Sequence, residues 1–77
     1  MTATRVRELL HAVPFKPFRI HLPGNKKIRV PHPDFISLSP SGRTAAVFGL
    51  KDEMHIVDIF LVTALETEAV KNGKTTK

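Results

Sequence analysis

Cysteine is absent from the 77-residue sequence, and so are tryptophan and tyrosine. Without cysteine, neither a disulfide nor a thiolate-bound zinc ion can stabilise the chain. A cysteine-free sequence is compatible with a reducing compartment, and we expect a cytoplasmic protein. The lack of tyrosine and tryptophan also leaves few aromatic platforms on which unpaired bases could stack.

Long apolar runs are absent as well. The longest, residues 59–62, is far shorter than the ~20 residues that span a bilayer. Charged residues interrupt residues 1–13, so this segment lacks the apolar stretch of a signal peptide. These patterns predict a soluble protein without a membrane partner.

The small size of the chain limits its stability. We expect residues 1–70 to form one domain, whose core alone supplies about 3–5 kcal/mol. Burial of further surface against a second copy of the chain would add to this stability, so we expect a homo-oligomer. The formal net charge is +5, and residues 71–77 contribute three lysines and no acidic residue. We expect this segment to be a disordered basic tail.

Helical periodicity marks the N-terminal region. Apolar residues recur at i, i+3, i+4 and i+7, which predicts a helix over about residues 4–12. This stripe consists of Val6, Leu9, Leu10 and Val13. Thr4 is the predicted N-cap, and Pro14 is expected to end the helix.

From Phe18 onward the period changes to two, which is typical of strands. Residues 18–22 and 27–30 flank Pro23-Gly24, a turn signal, and together they predict a hairpin. Its outer face carries Arg19, His21, Lys27 and Arg29. Pro31 to Asp34 predicts a rigid corner, with the Asp34 carboxylate accepting backbone amides near Ile36.

Further strands are predicted at residues 35–39, 43–48 and 54–58. Residues 59–68 allow two interpretations: a short 3₁₀ turn capped by Asp58 and followed by a closing strand at about 62–67, or one long strand from residue 54. The predicted fold class is therefore α+β. It combines an N-terminal helix with a five- to six-stranded antiparallel bent sheet or an SH3-like or Sm-like barrel.

Catalytic patterns are not recognisable in the sequence. Serines 37, 39 and 41 fit strand faces and turns, and no nucleophile elbow or glycine-rich phosphate loop is present. The four histidines do not show the spacing of metal ligands. We therefore predict a non-enzymatic protein with no cofactor, no metal and no catalytic residue.

The sequence leaves two non-catalytic functions open. The first is a small interaction module that self-associates and binds a protein partner, with candidate interface residues on the helix and at the following corner: Val6, Leu9, Leu10, Phe15 and Phe18. Alternatively, Phe15 and Phe18 staple the helix to the sheet. The second is a nucleic-acid-binding domain that uses basic residues: Arg19, Lys27, Arg29 and Arg43.

Three segments together resemble a family of small uncharacterised bacterial proteins: PFKPFRIHL, VPHPDFISLSPSGRT and IVDIFLVTALE. The resemblance covers about residues 5–67. Family members commonly have Asp-Gly in the first hairpin turn, where this chain has Gly24-Asn25. The family has no established function, so the resemblance implies a compact domain and assigns no site residues.

Overall fold

The computed structural model describes residues 2–68, which form one helix and six antiparallel strands. The elements are α1 (Ala3–Leu10), β1 (Phe18–Leu22), β2 (Lys26–Val30), β3 (Ile36–Leu38), β4 (Thr44–Phe48), β5 (Met54–Asp58) and β6 (Ala64–Thr67). Three 3₁₀ turns lie at Pro23–Asn25, Pro33–Phe35 and Ile59–Leu61. The α+β prediction is confirmed. The predicted tail at residues 71–77 lies outside the described residues.

The strands form two three-stranded sheets, with orders β2-β1-β6 and β3-β4-β5. The expectation of a single bent sheet or a closed barrel is therefore wrong for residues 2–68. The division falls between β2 and β3, where Pro31 and Pro33 stand. Neither proline has a backbone N–H, so a continuous strand ladder cannot run through this corner.

Helix α1 is shorter than predicted. Thr2, not Thr4, occupies the N-cap position, and no side-chain hydrogen bond caps the helix there. The helix ends at Leu10, and Val13 is 95% exposed instead of completing the apolar stripe. Pro14 disfavours helical geometry at Val13, and this peptide bond is cis.

Two local turns agree with the sequence-based expectations. The β1–β2 hairpin turns at Gly24, whose φ is 79°, in the left-handed region that glycine tolerates. A 3₁₀ turn followed by strand β6 is confirmed at residues 59–67, and Asp58 Oδ1 accepts a hydrogen bond from the Phe60 N–H at 2.9 Å. The Asp34 prediction is wrong, because the Ile36 N–H donates to the Pro33 carbonyl instead of to the Asp34 carboxylate. The side chain that caps this turn is His32, whose Nδ1 accepts the Asp34 N–H at 3.2 Å.

The core draws residues from the helix and from both sheets. Its largest fully buried side chains are Phe18, Ile20, Ile59, Val6, Val30 and Val47. Helix α1 also approaches the turn before β4, where Gly42 leaves room for Ala3 and Arg7. The outer faces of the two sheets therefore remain as the broad surfaces of the molecule.

Candidate functional site

The outer face of the first sheet carries the predicted basic residues of the hairpin. In the β1–β2 register, Arg19 lies opposite Arg29, and His21 lies opposite Lys27. Residues directly opposite each other in an antiparallel pair share one face of the sheet. The sequence therefore identified this group correctly.

Strand β6 brings carboxylates to the same face. Arg29 donates two hydrogen bonds to Glu68, at 2.6 and 3.1 Å, and Arg19 Nη2 lies 3.4 Å from the same carboxylate. Next to them, His21 Nε2 lies 2.9 Å from Glu66 Oε1. These partners are 39 and 45 residues apart in sequence for the Arg29 and His21 pairs, so no local pattern predicts them.

These contacts change the titration of two groups. The hydrogen bond with His21 lowers the pKa of Glu66, and the hydrogen bond to Glu68 raises the pKa of Arg29. Both shifts favour the ionised forms. The face is therefore a partly neutralised network of charges, in which Arg19 and Arg29 share the Glu68 carboxylate, whereas Lys27 forms no salt bridge within residues 2–68.

Arg43 does not join this group. It immediately precedes β4 in the second sheet, and its guanidinium carbon lies 4.8 Å from the centre of the Phe60 ring. That distance is within the range of a cation–π interaction. The four predicted basic residues are thus divided between the two sheets.

The predicted interface residues are mostly part of the chain's own core. Val6 and Phe18 are completely buried, so they have no surface left for a second copy. Leu9, Leu10 and Phe15 are partly buried and pack against the same core. The rings of Phe15 and Phe18 meet edge to face at 6.1 Å, as the alternative of a helix–sheet staple requires.

Part of the outer face of the second sheet is apolar, beside the polar Ser37, Thr44 and Asp58 of the same face. The sequence analysis did not identify this apolar part. Ala46 lies opposite Ile56, and Phe48 lies opposite Met54. Met54 is 57% and Ile56 is 64% exposed, whereas Ala46 and Phe48 are half-buried. We call these four residues the apolar face. Contiguous exposed apolar surface of this kind is typical of interaction sites.

Exposed apolar residues flank this face. Leu50, in the β4–β5 turn, is 80% exposed, and Phe60, in the turn after β5, is 58% exposed. A shallow cavity lined by Arg43, Ile56 and other residues connects the apolar face with the arginine that covers Phe60. The alternation in β5 indicates that Met54 and Ile56 share a side. It does not indicate which side is outward, because Val57 on the other side is apolar too.

Strand β5 is also an open edge of its sheet. Natural edge strands are commonly protected by shortness, proline or charged side chains, lysine above all. Strand β2 has cationic residues and is followed by Pro31, β3 has three residues, and β6 has four and contains Glu66. Strand β5 has five residues with neither proline, lysine nor arginine, and its one acidic residue, Asp58, stands at its C-terminal end. It is the least protected edge within residues 2–68.

A cleft of about 400 Å³ lies between β2 and the β4–β5 turn. We call it the cleft, and its lining comes from residues 26–31 and 48–55. Ile28, Pro31, Phe48 and Leu50 supply its apolar lining, and four cationic side chains surround them. This volume lies within the usual range of ligand pockets.

Three of the histidines lie near carboxylates in the described part of the chain. His21 lies near Glu66, His32 Nδ1 lies 3.6 Å from Asp34, and His55 Nε2 lies 4.0 Å from Glu53. Within residues 2–68, no three histidine or acidic side chains are grouped as a metal site requires.

Comparison with protein-family models, curated proteins and solved structures found no match for this chain. In the described range 2–68, no helix has the length and apolar character needed to cross a membrane.

Proposed function

We propose that this chain is a non-catalytic interaction module that self-associates through the apolar face and the open edge of β5. The observation that carries the proposal is the exposure of Met54 and Ile56 on an edge strand. Their cross-strand partners are apolar as well. A second copy that pairs with this edge would place its own Ile56 against this Ile56 and remove part of the same surface from water on both molecules. We further propose a cytoplasmic setting, in keeping with the cysteine-free sequence.

Backbone geometry supports pairing at this edge. The Gly49 N–H donates to the Glu53 carbonyl at 2.8 Å, and the Ile59 N–H donates to the Arg43 carbonyl at 2.7 Å. Hydrogen-bonded pairs alternate along an antiparallel ladder, so the odd-numbered residues of β5 bond to β4. The backbone groups that point to the open edge then belong to Met54, Ile56 and Asp58.

A twofold arrangement suits these groups. If β5 pairs antiparallel with β5 of a second copy and Ile56 lies at the centre, Met54 of each copy lies opposite Asp58 of the other. In this register the outward-facing side chains of the two β5 strands lie on the same side of the joined sheet, because side chains alternate between the two faces of a strand. Two three-stranded sheets would become one six-stranded sheet, in which the two Ile56 side chains meet at the centre of the outer face and Asp58 of each copy lies beside Met54 of the other.

Ile56 dominates the expected energetics. In the edge-paired dimer the two Ile56 side chains are direct cross-strand neighbours, and such an apolar pair contributes about 0.2–1 kcal/mol. Ile56→Lys replaces this pair by two like charges, so it should weaken dimerisation by about 1–2 kcal/mol, or about 5-fold to 30-fold in the dissociation constant.

Sedimentation velocity over a wide range of protein concentration tests the proposal. We expect the wild-type chain to form a dimer as the concentration rises, and Ile56→Lys to do so only at about 5-fold to 30-fold higher concentration. Val13→Lys is the matched control, because Val13 is also an exposed apolar residue but lies in the loop after α1. Circular dichroism verifies that each variant is folded.

A second variant separates edge pairing from side-chain contact. Ile56→Pro removes an N–H that points to the open edge and leaves the ladder with β4 intact, so it should also weaken dimerisation. A wild-type chain that stays monomeric at every concentration would refute the proposal. Equal weakening by Val13→Lys and Ile56→Lys would refute it as well.

A further inference from the structure

We propose that the cleft binds a short acidic peptide segment of a protein partner, anchored by an apolar side chain. This proposal deepens the role as an interaction module, because it specifies the chemistry of a partner. The cleft and the apolar face share Phe48, whereas Met54 and Ile56 do not line the cleft. The two proposals can therefore fail separately.

The lining of the cleft fits an aliphatic or aromatic anchor. Ile28 is buried and forms its base, whereas Leu50 is 80% exposed at the tip of the β4–β5 turn. Pro31 and the half-buried Phe48 complete the apolar surface. An apolar side chain inserted here would cover Leu50, one of the most exposed large apolar residues of the chain.

The rim of the cleft is strongly cationic. Lys26, Lys27 and Lys51 are exposed, and none of them forms a salt bridge within residues 2–68. Arg29 also lines the cleft, although Glu68 already binds its guanidinium. Three lysines around one apolar base attract an anionic segment, which also increases the rate of encounter.

Glu53 is the one acidic residue that lines the cleft within the described chain. Its carboxylate folds back onto its own turn, where it accepts the Lys51 N–H at 3.1 Å. It also fills the space that a Cβ at Gly49 would occupy. The Glu53 carboxylate therefore stabilises the β4–β5 turn by accepting a backbone hydrogen bond within it.

The composition of the chain helps to identify the occupant. Residues 71–77 carry three lysines and no acidic residue, so they are repelled by a cationic rim and cannot be the complementary segment. Single-stranded nucleic acid is disfavoured, because the cleft offers one phenylalanine, one half-buried histidine (His55) and otherwise aliphatic apolar surface, whereas such ligands use successive exposed aromatic platforms. An acidic peptide with an apolar anchor satisfies both the charge and the lining.

Fluorescence anisotropy with the labelled peptide DELFED tests this inference on the full chain. We expect binding, and we expect Lys27→Glu and Lys51→Glu each to weaken it about five-fold or more. Lys16→Glu is the matched control, since it makes the same change of charge on an exposed lysine outside the cleft. The peptides DESSED, without the anchor, and KKLFKK, without the acids, should bind more weakly than DELFED.

Two further measurements locate the site. In ¹⁵N–¹H correlation spectra, DELFED should shift the amides of residues 26–30 and 48–51. The Ile56→Lys variant should bind the peptide like the wild type, so that a failure of self-association does not affect this test.

Three results would overturn the inference. The first is the absence of binding, and the second is binding that is insensitive to the lysine substitutions. The third is tighter binding of oligo-deoxythymidylate than of DELFED, lost in the same variants and about ten-fold weaker between about 50 and 200 mM salt, which would assign the cleft to nucleic acid.

Discussion

Replacing Gly42 by alanine tests how helix α1 is held against the turn that precedes β4. Gly42 is buried, and its φ is 78°. A Cβ added at this position would lie 2.8 Å from the Cβ of Ala3 and 3.5 Å from Nη2 of Arg7. Both the backbone conformation and the proximity of the helix therefore oppose a side chain here.

The expected magnitude combines these two effects. A non-glycine residue in the left-handed region costs about 1–2 kcal/mol. Carbon atoms are in favourable contact at about 3.5–4.0 Å, so an approach of 2.8 Å forces the helix or the turn to move. Such overpacking costs about 1–3 kcal/mol, and together the two effects lower the free energy of unfolding by about 2–5 kcal/mol.

Gly24→Ala is the matched control for the backbone effect alone. The φ of Gly24 is 79°, and no atom lies within 4 Å of an added Cβ. Gly24→Ala should lower the free energy of unfolding by about 1–2 kcal/mol. Ala3→Gly removes the Cβ of Ala3, which is one of the two carbon atoms that would clash. In a chain that carries Ala3→Gly, the further substitution Gly42→Ala should therefore lower the free energy of unfolding no more than Gly24→Ala does in the wild type.

Urea unfolding followed by circular dichroism gives the free energies for this set of variants. A core of this size supplies about 3–5 kcal/mol, so a loss of about 2–5 kcal/mol would leave much of the Gly42→Ala variant unfolded. Sucrose, added equally to all samples, stabilises the folded state and keeps the unfolding transition of this variant measurable. Equal costs at Gly42 and Gly24 would refute the steric argument. An undiminished cost of Gly42→Ala in the Ala3→Gly background would refute the contact with the helix.

The remaining predictions concern two carboxylates. Asp58→Ala should lower the free energy of unfolding by about 1 kcal/mol, because it removes the acceptor for the Phe60 N–H, whereas Asp58→Asn should lose less; equal urea midpoints for all three proteins would contradict this. The lowered pKa of Glu66 means that its ionised form stabilises the fold above the ordinary glutamate pKa, and this contribution is lost as the pH falls through the lowered pKa. Glu66→Gln should therefore be less stable than the wild type at neutral pH and equally stable in acid, and urea unfolding at several pH values would disprove this if the difference stayed constant.

Local interactions explain what the sequence determined by itself. The helix, the hairpin at Gly24, the 3₁₀ turn after Asp58 and the strands that follow depend on residues only a few positions apart. Periodicity and turn chemistry report such contacts directly. Helix α1 ended earlier than predicted, because helical periodicity continues through Val13 although the following proline disfavours helical geometry there.

Tertiary structure decided the character of the surfaces. The hairpin face is basic in the sequence, but the pairing of β6 with β1 places Glu66 and Glu68 beside its basic residues. The candidate interface residues Val6 and Phe18 became core for the same reason, since burial depends on which distant elements meet. The alternation in β5 determined that Met54 and Ile56 share a side, and only the packing of the second sheet on the core decided that this side faces outward.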